Sequence, residues 1–474
     1  MIKIAVISNI CFEPYLKNSF SKAFSGDVQT SYLFLNNVGE IRTVDADFVL
    51  LHLSYERLVG DKRDVDINAV AEECENIYKS IKKKTLAQIL WLGFDDYGNY
   101  DRYVYGNVLH DGYFADRLNP IVAGITDESD GFIDFKRIVA EIGINDAYCD
   151  KGKYRWNSPY SEKTVDCIAA EVYTQYLITY GKTKKCLVLD CDGVFWNGIL
   201  SEDGTCGIDI SEKYAAFQKF VLQMYKSGVI LCLCTKNREE ELSGLLRNHR
   251  GMILGENNFA LIMANFKSKA ENMNEIIGIL NISPESIVFV DDSENEISEM
   301  QHFFPEIRSI LFDPITVYKE LSCFKLRYGV SETAEIRTEN YRKKATVHDL
   351  PKTDGKTEIH PAAPDEIKRI SDLSMRTNRK TNGVRMTVGN LAQEGREIYA
   401  VYYSDDISDY GLIGAMVTDG ETLELFSLSC RVIGKEIEKK MAEYLKDNRQ
   451  IKKIECSNTG KNKDFCDWLK SELL

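Results

Sequence analysis

The sequence predicts an α/β protein of three domains, and three observations carry that expectation. Short, wholly apolar runs alternate with amphipathic helical stretches over the first 335 or so residues, the pattern of parallel strands crossed by helices. Beyond residue 355 the strands follow one another directly, which predicts a mainly antiparallel sheet. Within the first of these regimes one apolar run stops at two aspartates and a glycine, "CLVLDCDG" at Cys186–Gly193, as a ligand-binding strand end would. At 474 residues the chain is also too long for a single core.

The first predicted domain covers 1–180. Its strands are "IKIAVIS" at Ile2–Ser8, "DFVLLHL" at Asp47–Leu53 and "AQILWLG" at Ala87–Gly93, spaced as in βαβ units and apolar enough to be buried on both faces. The second, 184–335, has strands in "CLVLD", "VILCLCT" (Val229–Thr235) and "SIVFVDD" (Ser286–Asp292). Between them "YAAFQKFVLQMYK" is apolar at 214, 217, 220, 221 and 224, a helical stripe expected in the core. The charged stretch Tyr341–Glu358 reads as a linker. The third domain, 355–474, holds the consecutive strands "REIYAVYYSDD", "YGLIGAMV" and "TLELFSLSC", then the helix "GKEIEKKMAEYLKDN" and a short terminal α/β piece.

Composition narrows the function. With 44% hydrophobic and 28% charged residues and 9 prolines, the chain reads as globular. A net charge of −14 argues against nucleic acid or an anionic membrane as the main partner. No window approaches a membrane span, and Met1–Ile10 lacks the charged start and long apolar centre of a signal peptide. The 13 cysteines are odd in number and form no CxxC pair or zinc-spaced cluster, so reduced thiols in a cytoplasm are expected.

The opening strand of the second domain delivers Asp190 and Asp192 to the carboxyl edge of a sheet, with Gly193 letting the chain turn close to a ligand. Neighbouring strands end in Thr235, followed by Lys236 and Asn237, and in the adjacent Asp291 and Asp292. "NFKSKAEN" places Lys267 and Lys269 at a helix start, and the following "AENMNEI" favours Lys269. Four carboxylates at one edge would repel severely if nothing lay between them. A Mg²⁺ ion held by Asp190, Asp192, Asp291 and Asp292, with a phosphate held by Thr235, Lys236, Asn237 and Lys269, resolves the repulsion.

The order DxDG, T, K, DD resembles the four motifs of the haloacid dehalogenase (HAD) phosphatase superfamily. The resemblance implies that Asp190 is the nucleophile, that Asp192 is the general acid/base, and that Thr235 and Lys269 hold the phosphoryl group. It further implies Asp291 as the direct Mg²⁺ ligand beside Asp190, with Asp292 supporting. The segment Phe195–Ile210 reads as a short flap, leaving no room for a large cap, and so as an open site suited to a bulky or protein-borne substrate.

"LVLDCDGVFWNGILSEDG", "NFKSKAENMNEIIGILNISPESIVFVDDSENE", "ISDLSMRTNRKTNGVRMT", "DYGLIGAMV" and "LSCRVIGKEIE" are similar to the FkbH-like subfamily of class IIIC HAD proteins. The likeness covers residues 140–474 well and the first 140 loosely. That subfamily has Asn and Thr where this chain has Gly193 and Val194, and Leu in place of Cys191. The resemblance implies a flavodoxin- or SGNH-like first domain, a capless Rossmann-like HAD domain, and a third domain of the GNAT acyltransferase fold. It implies a phosphatase/glyceryltransferase that takes 1,3-bisphosphoglycerate and loads the glyceryl unit as a thioester onto an acyl carrier protein.

In the GNAT fold a loop at a helix start presents backbone N–H groups to a pyrophosphate. Here it runs from Arg431 through Gly434 to Glu436, whose charge and bulk oppose a pyrophosphate, so the phosphopantetheine arm of a carrier protein is expected in place of coenzyme A. Cys430, just before this loop, is the candidate acyl carrier, with Cys191 second because strand alternation turns it from the side of Asp190. Arg376, Arg379, Lys380 and Arg385 form the candidate dock for an acidic partner. Ser8 and Asn9 sit loosely where an SGNH hydrolase has its serine, but no histidine occurs late in that domain, so a docking or structural role is expected. The competing readings are a phosphatase fused to a coenzyme A-dependent acyltransferase acting on a sugar or amine, and a non-catalytic scaffold for carrier proteins.

Overall fold

The computed structural model describes residues 1–36, 43–54, 57–58, 66–95, 114–127, 130–325, 338–343, 355–405, 409–429 and 432–474. Its strands form three five-stranded sheets. The chain divides into two compact units: 1–180 with 364–375 and 385–396, and 181–363 with 376–384 and 397–474. One division falls between Tyr180 and Gly181. The stretch expected to form a third domain contributes two short segments to the first unit.

The first unit is built on β1 (Ile2–Ser8), β2 (Val28–Phe34), β3 (Phe48–His52), β4 (Gln88–Leu92) and β5 (Gly131–Ile133), in the order β2-β1-β3-β4-β5. Every pairing is parallel. Side-chain alternation divides the inner strands between two cores. Ile4, Val6, Phe48, Leu50, Leu90 and Leu92 pack with the helices Phe135–Ile142 and Glu162–Thr179. Ala5, Ile7, Val49, Leu51, Ile89 and Trp91 pack with the helices Ile67–Lys82 and Phe114–Ile125.

Ser8 and His52 are register partners at the carboxyl edge of β1 and β3, and both are buried. The Ser8 hydroxyl accepts from the Ile10 amide at 3.2 Å, and His52 Nε2 lies 2.9 Å from the Tyr160 hydroxyl. Burial lowers the His52 pKa to about 4. Unfolding restores an ordinary imidazole, so the unfolded chain binds the extra proton between about pH 6.5 and pH 4, and stability falls as pH drops through that window. We expect His52 to account for a loss of about 3 kcal/mol on acidification of the first unit. Denaturant titrations of His52→Gln against pH should show a shallower acid slope than wild type; identical slopes would mean that other groups carry the acid sensitivity.

The second sheet comprises β6 (Cys186–Leu189), β7 (Ile230–Thr235), β8 (Phe259–Ala264), β9 (Ile287–Asp291) and β10 (Arg308–Leu311), ordered β10-β9-β6-β7-β8 and parallel throughout. Leu187, Leu189, Leu231, Leu233, Val288 and Val290 face the helices Glu212–Lys226 and Glu239–Asn248; Cys186, Val188, Cys232, Cys234 and Phe289 face Lys269–Leu280 and Glu294–Phe303. As expected, the helical stripe of Tyr214, Phe217, Val221 and Met224 is core, with Phe220 half-buried against it.

The third sheet, β11 (Lys356–Pro361), β12 (Arg396–Ser404), β13 (Asp409–Asp419), β14 (Thr422–Leu428) and β15 (Lys453–Ile454), runs in that order. β11–β12 and β13–β14 are antiparallel and β14–β15 parallel, so the sheet is mixed. The helices Ile437–Asn448 and Lys463–Leu473 close its core. The stretch read as a linker runs into β11 at Lys356; its part from 344 to 354 lies outside the described residues. All cysteines of the described residues are free, and no helix among them is long and apolar enough to cross a membrane.

Candidate active site

The carboxyl edge of the second sheet gathers the acidic residues. β6 ends at Leu189, and Asp190 follows with its amide bonded to the Val290 carbonyl at 3.0 Å, which fixes it beside the end of β9. Asp291 is the last residue of β9 and is fully buried; Asp190 is 6% exposed. One oxygen each of Asp190, Asp291 and Asp292 lies within 4.8 Å of the others. Lys269 sits against this cluster, its Nζ 2.9 Å from Asp190 Oδ2 and 2.6 Å from Asp291 Oδ2.

Lys269 occupies that position because its helix begins there. The Ser268 hydroxyl accepts from the Glu271 amide, and the Glu271 carboxylate accepts from the Ser268 amide, a reciprocal cap readable in "SKAE". Lys267, the rival, is exposed and paired with Glu275 at 2.7 Å. Burial alone would lower the Lys269 pKa, but the adjoining Asp190 and Asp291 raise it, so the ammonium is held charged. Burial, reinforced by Asp190, lifts Asp291 to about 6, and burial likewise raises Asp190 and Asp292. Three carboxylates against one ammonium leave an excess of negative charge in a largely buried site.

The donor set fits a hard divalent cation. Asp190 Oδ1 is buried and has no hydrogen-bond partner among the described residues, and the three carboxylates converge on one small volume.

Asp192 departs from the expected ligand set, because its carboxylate lies outside the three-residue cluster. Its Oδ1 accepts from Trp196 Nε1 at 2.8 Å and from the Leu200 amide at 3.0 Å, and its Oδ2 accepts from Asn237 Nδ2 at 2.9 Å. The chain has left the strand by then and turns at Gly193, where φ is +71°. Crowding as well as curvature calls for glycine there: a Cβ on Gly193 would stand 2.0 Å from Asp292 Oδ2. Gly193→Ala must therefore swing Asp292 out of the cluster. We expect Mg²⁺ affinity to fall roughly 10–100-fold, as for other losses of ligand orientation. Titration of Mg²⁺ by calorimetry checks this, and unchanged affinity would remove Asp292 from the donor set.

Thr235 ends β7 and is buried, its Oγ1 accepting from Asn237 Nδ2 at 2.9 Å. Two of the expected phosphate ligands have other partners in the structure. Lys236 is exposed and paired with Glu296 at 2.5 Å, because the residue after Thr235 turns to the outside. Asn237 is fully buried, and both hydrogens of its amide are used on Asp192 and Thr235. Cys191 packs in the apolar core with Leu187 and Leu189, and burial holds its thiol far above the usual range.

The flap is as short as expected. Asn197 and Asp209 exchange backbone hydrogen bonds at 2.9 and 3.1 Å, closing the loop around the short helix Leu200–Gly207. Its base is anchored where Gln218 Nε2 donates to the Phe195 carbonyl. Trp196, buried in this flap, is the site residue that the motif spacing missed; the signal was an indole four residues after Asp192.

In the third sheet Gly434 has φ +92° and Glu436, at +57°, heads the helix Ile437–Asn448. Lys435 turns to the buried Asp405 carboxylate. Cys430 and Arg431 lie outside the described residues. The basic run does not stand as one solvated face: Arg376 and Arg379 are exposed, Lys380 is held by Glu438 at 2.8 Å, and Arg385 donates to the Ser374 carbonyl, burial lowering its pKa to about 10. Arg385 also belongs to the other compact unit from the rest of the run.

No protein-family model and no curated protein matches the chain. Among solved structures it is similar to the N-terminal part of the protein BF1531 from Bacteroides fragilis, which contains a phosphatase domain and is complexed with Mg. That match has a TM-score of 0.57 at 19% identity and covers 70% of this chain and 94% of that one. A HAD family enzyme from Bacteroides thetaiotaomicron matches 29% of this chain over 98% of its own, at 15% identity and a TM-score of 0.22. The first likeness is one of fold: the chain shares the architecture of that phosphatase-domain-containing protein.

Proposed function

We propose that the chain is a Mg²⁺-dependent phosphatase acting from Asp190, and that it passes the acyl unit of a phosphorylated donor, 1,3-bisphosphoglycerate or a relative, to the phosphopantetheine thiol of an acyl carrier protein. The observation that supports this most directly is the convergence of Asp190, Asp291 and Asp292 about Lys269, with Asp192 held apart by its own donors. A nucleophile and a general acid need this difference of setting. Asp190 stands within the cation's donor set beside Lys269, whereas Asp192 is fixed in orientation outside that set.

Asp190 attacks the phosphorus of the donor's phosphate ester, the bond from phosphorus to the leaving alkoxide oxygen breaks, and Asp192 supplies the proton that oxygen needs. The acyl phosphate stays intact until a thiolate attacks its carbonyl carbon and displaces inorganic phosphate. Water, deprotonated by Asp192, then attacks the aspartyl phosphate and releases inorganic phosphate. Thr235 and Lys269 hold the equatorial oxygens through a hydroxyl and an ammonium. A Mg²⁺ ion on Asp190, Asp291 and Asp292 would offset their negative charge and that of the phosphate.

The transferase half rests on the likeness to the FkbH-like subfamily. Glu436, standing at the start of the helix Ile437–Asn448, favours an uncharged pantetheine arm over the pyrophosphate of coenzyme A. The exposed Arg376 and Arg379 are the docking cations for the acidic carrier, and Cys430 is the proposed acyl carrier in transit.

The test is incubation of the full chain with Mg²⁺, 1,3-bisphosphoglycerate and candidate carrier proteins, reading phosphate release and carrier mass together. Phosphate release that stops with EDTA and returns with Mg²⁺, accompanied by a glyceryl mass on the carrier, is the expected result. Release without loading would leave a phosphatase alone, and no release with any phosphate compound would sink both halves. Mg²⁺ alone should also raise the melting temperature by a few degrees, as a ligand that binds only the folded chain does.

A further inference from the structure

We infer that Asn237 is a positioning residue that ties the carboxylate of Asp192 to the hydroxyl of Thr235, so that one buried amide orients both the general acid and the phosphate-facing hydroxyl. The inference rests on the phosphatase reading of the site.

An Asn side-chain nitrogen carries two hydrogens, and here both are committed. One goes to Asp192 Oδ2 and the other to Thr235 Oγ1, each at 2.9 Å. The opposite orientation of the amide would set its carbonyl oxygen against a carboxylate oxygen, so the neighbour dictates which end faces Asp192.

The consequence for Asp192 follows from its remaining partners. Oδ1 takes hydrogen bonds from the Trp196 indole and from the Leu200 amide, which fill both of its lone-pair directions. Among the described residues Oδ2 takes only the bond from Asn237, leaving one lone pair on that oxygen. Asn237 therefore selects and aims the oxygen through which Asp192 exchanges a proton with the leaving group. Without the amide, the carboxylate is free to pivot about its Oδ1 contacts.

The consequence for Thr235 is complementary. Its oxygen is already an acceptor toward Asn237, so its own hydrogen is directed away from the amide and is available to a phosphoryl oxygen.

A purely structural role explains the residue less well. Asn237 is fully buried, yet its Oδ1 has no hydrogen-bond partner among the described residues. A buried amide left half-satisfied costs stability, and a smaller residue would avoid that cost. What the chain gains from this amide is its two donors, and both point at the reacting groups.

The test separates a positioning residue from a structural one by leaving group. kcat/KM is measured for wild type, Asn237→Ala and the nearly isosteric Asn237→Asp on a series running from p-nitrophenyl phosphate to a simple alkyl phosphate, with Mg²⁺ present. An alkoxide leaves poorly without a proton, whereas p-nitrophenolate needs little help. Both variants should lose roughly 100-fold on the alkyl ester, within the range typical of general acid catalysis, and less than roughly 5-fold on the aryl ester. The small common loss reports Thr235, and Mg²⁺ affinity by calorimetry should stay at the wild-type value. Equal losses on every ester, normal turnover of the alkyl ester, or lost Mg²⁺ binding would each overturn the positioning role. The wild-type arm stands apart: if wild type hydrolyses none of the esters, it is the phosphatase reading that has failed.

Discussion

Asp190→Asn should reduce phosphate release by roughly four orders of magnitude while leaving the fold at least as stable as wild type. The size of the loss follows from replacing the attacking carboxylate oxygen with an amide that is no comparable nucleophile. The stability follows from the charge count: Asp190, Asp291 and Asp292 crowd within 4.8 Å, and removing one negative charge relieves repulsion while Lys269 keeps its 2.6 Å bond to Asp291. A phosphate-release assay paired with thermal melts checks both halves. A variant retaining more than a few per cent of activity would place the nucleophile elsewhere, and a marked drop in melting temperature would mean that Asp190 supports the fold.

Lys269→Met has the opposite balance. Methionine matches the buried stem of the lysine but removes the ammonium that contacts Asp190 and Asp291 at 2.9 and 2.6 Å. The carboxylates are then left buried and uncompensated, a situation that typically costs about 3–5 kcal/mol. Metal-free protein should melt far below wild type, Mg²⁺ should restore part of the loss, and turnover should fall by roughly three orders of magnitude because the phosphoryl group loses its cation. Chemical denaturation with and without Mg²⁺ is the measurement. Undiminished metal-free stability would show that the carboxylates protonate instead of needing the lysine.

The pattern of what the sequence disclosed follows the sheets. The inner strands β1, β3, β4, β6, β7, β9, β12, β13 and β14 were all legible, because a strand with neighbours on both sides is covered on its faces and reads as a dense apolar run. The strands that escaped, β2, β5, β8, β10, β11 and β15, are the six edges of the three sheets. An edge strand tolerates polar side chains, as in "VQTSYLF" and "KTEIHP", and the latter was absorbed into a presumed linker. β5 and β15, at three and two residues, are too short to show a period at all.

The same physics sorts the site. Asp190, Thr235, Lys269, Asp291 and Asp292 were legible because strand ends and a helix cap place them whatever the loops do. The carboxylate of Asp192 stands apart from the cluster because the strand stops at Leu189 and the chain then turns. Lys236 is paired with Glu296 on the outside, since a neighbour in sequence faces away at a strand terminus. Trp196 and Asn237 act through hydrogen bonds between separate loops, which no spacing encodes.

The indole of Trp196 gives the site an optical reporter of its own. Its N–H is bonded to the carboxylate of Asp192, and its ring is buried in the loop that closes over the sheet edge. Any event that reorients Asp192, or lifts the loop, changes the polarity around one of the 4 tryptophans of the chain. Emission from that ring therefore couples the state of the acid to a signal that can be followed on the timescale of a single turnover, without a label and without a chromogenic substrate.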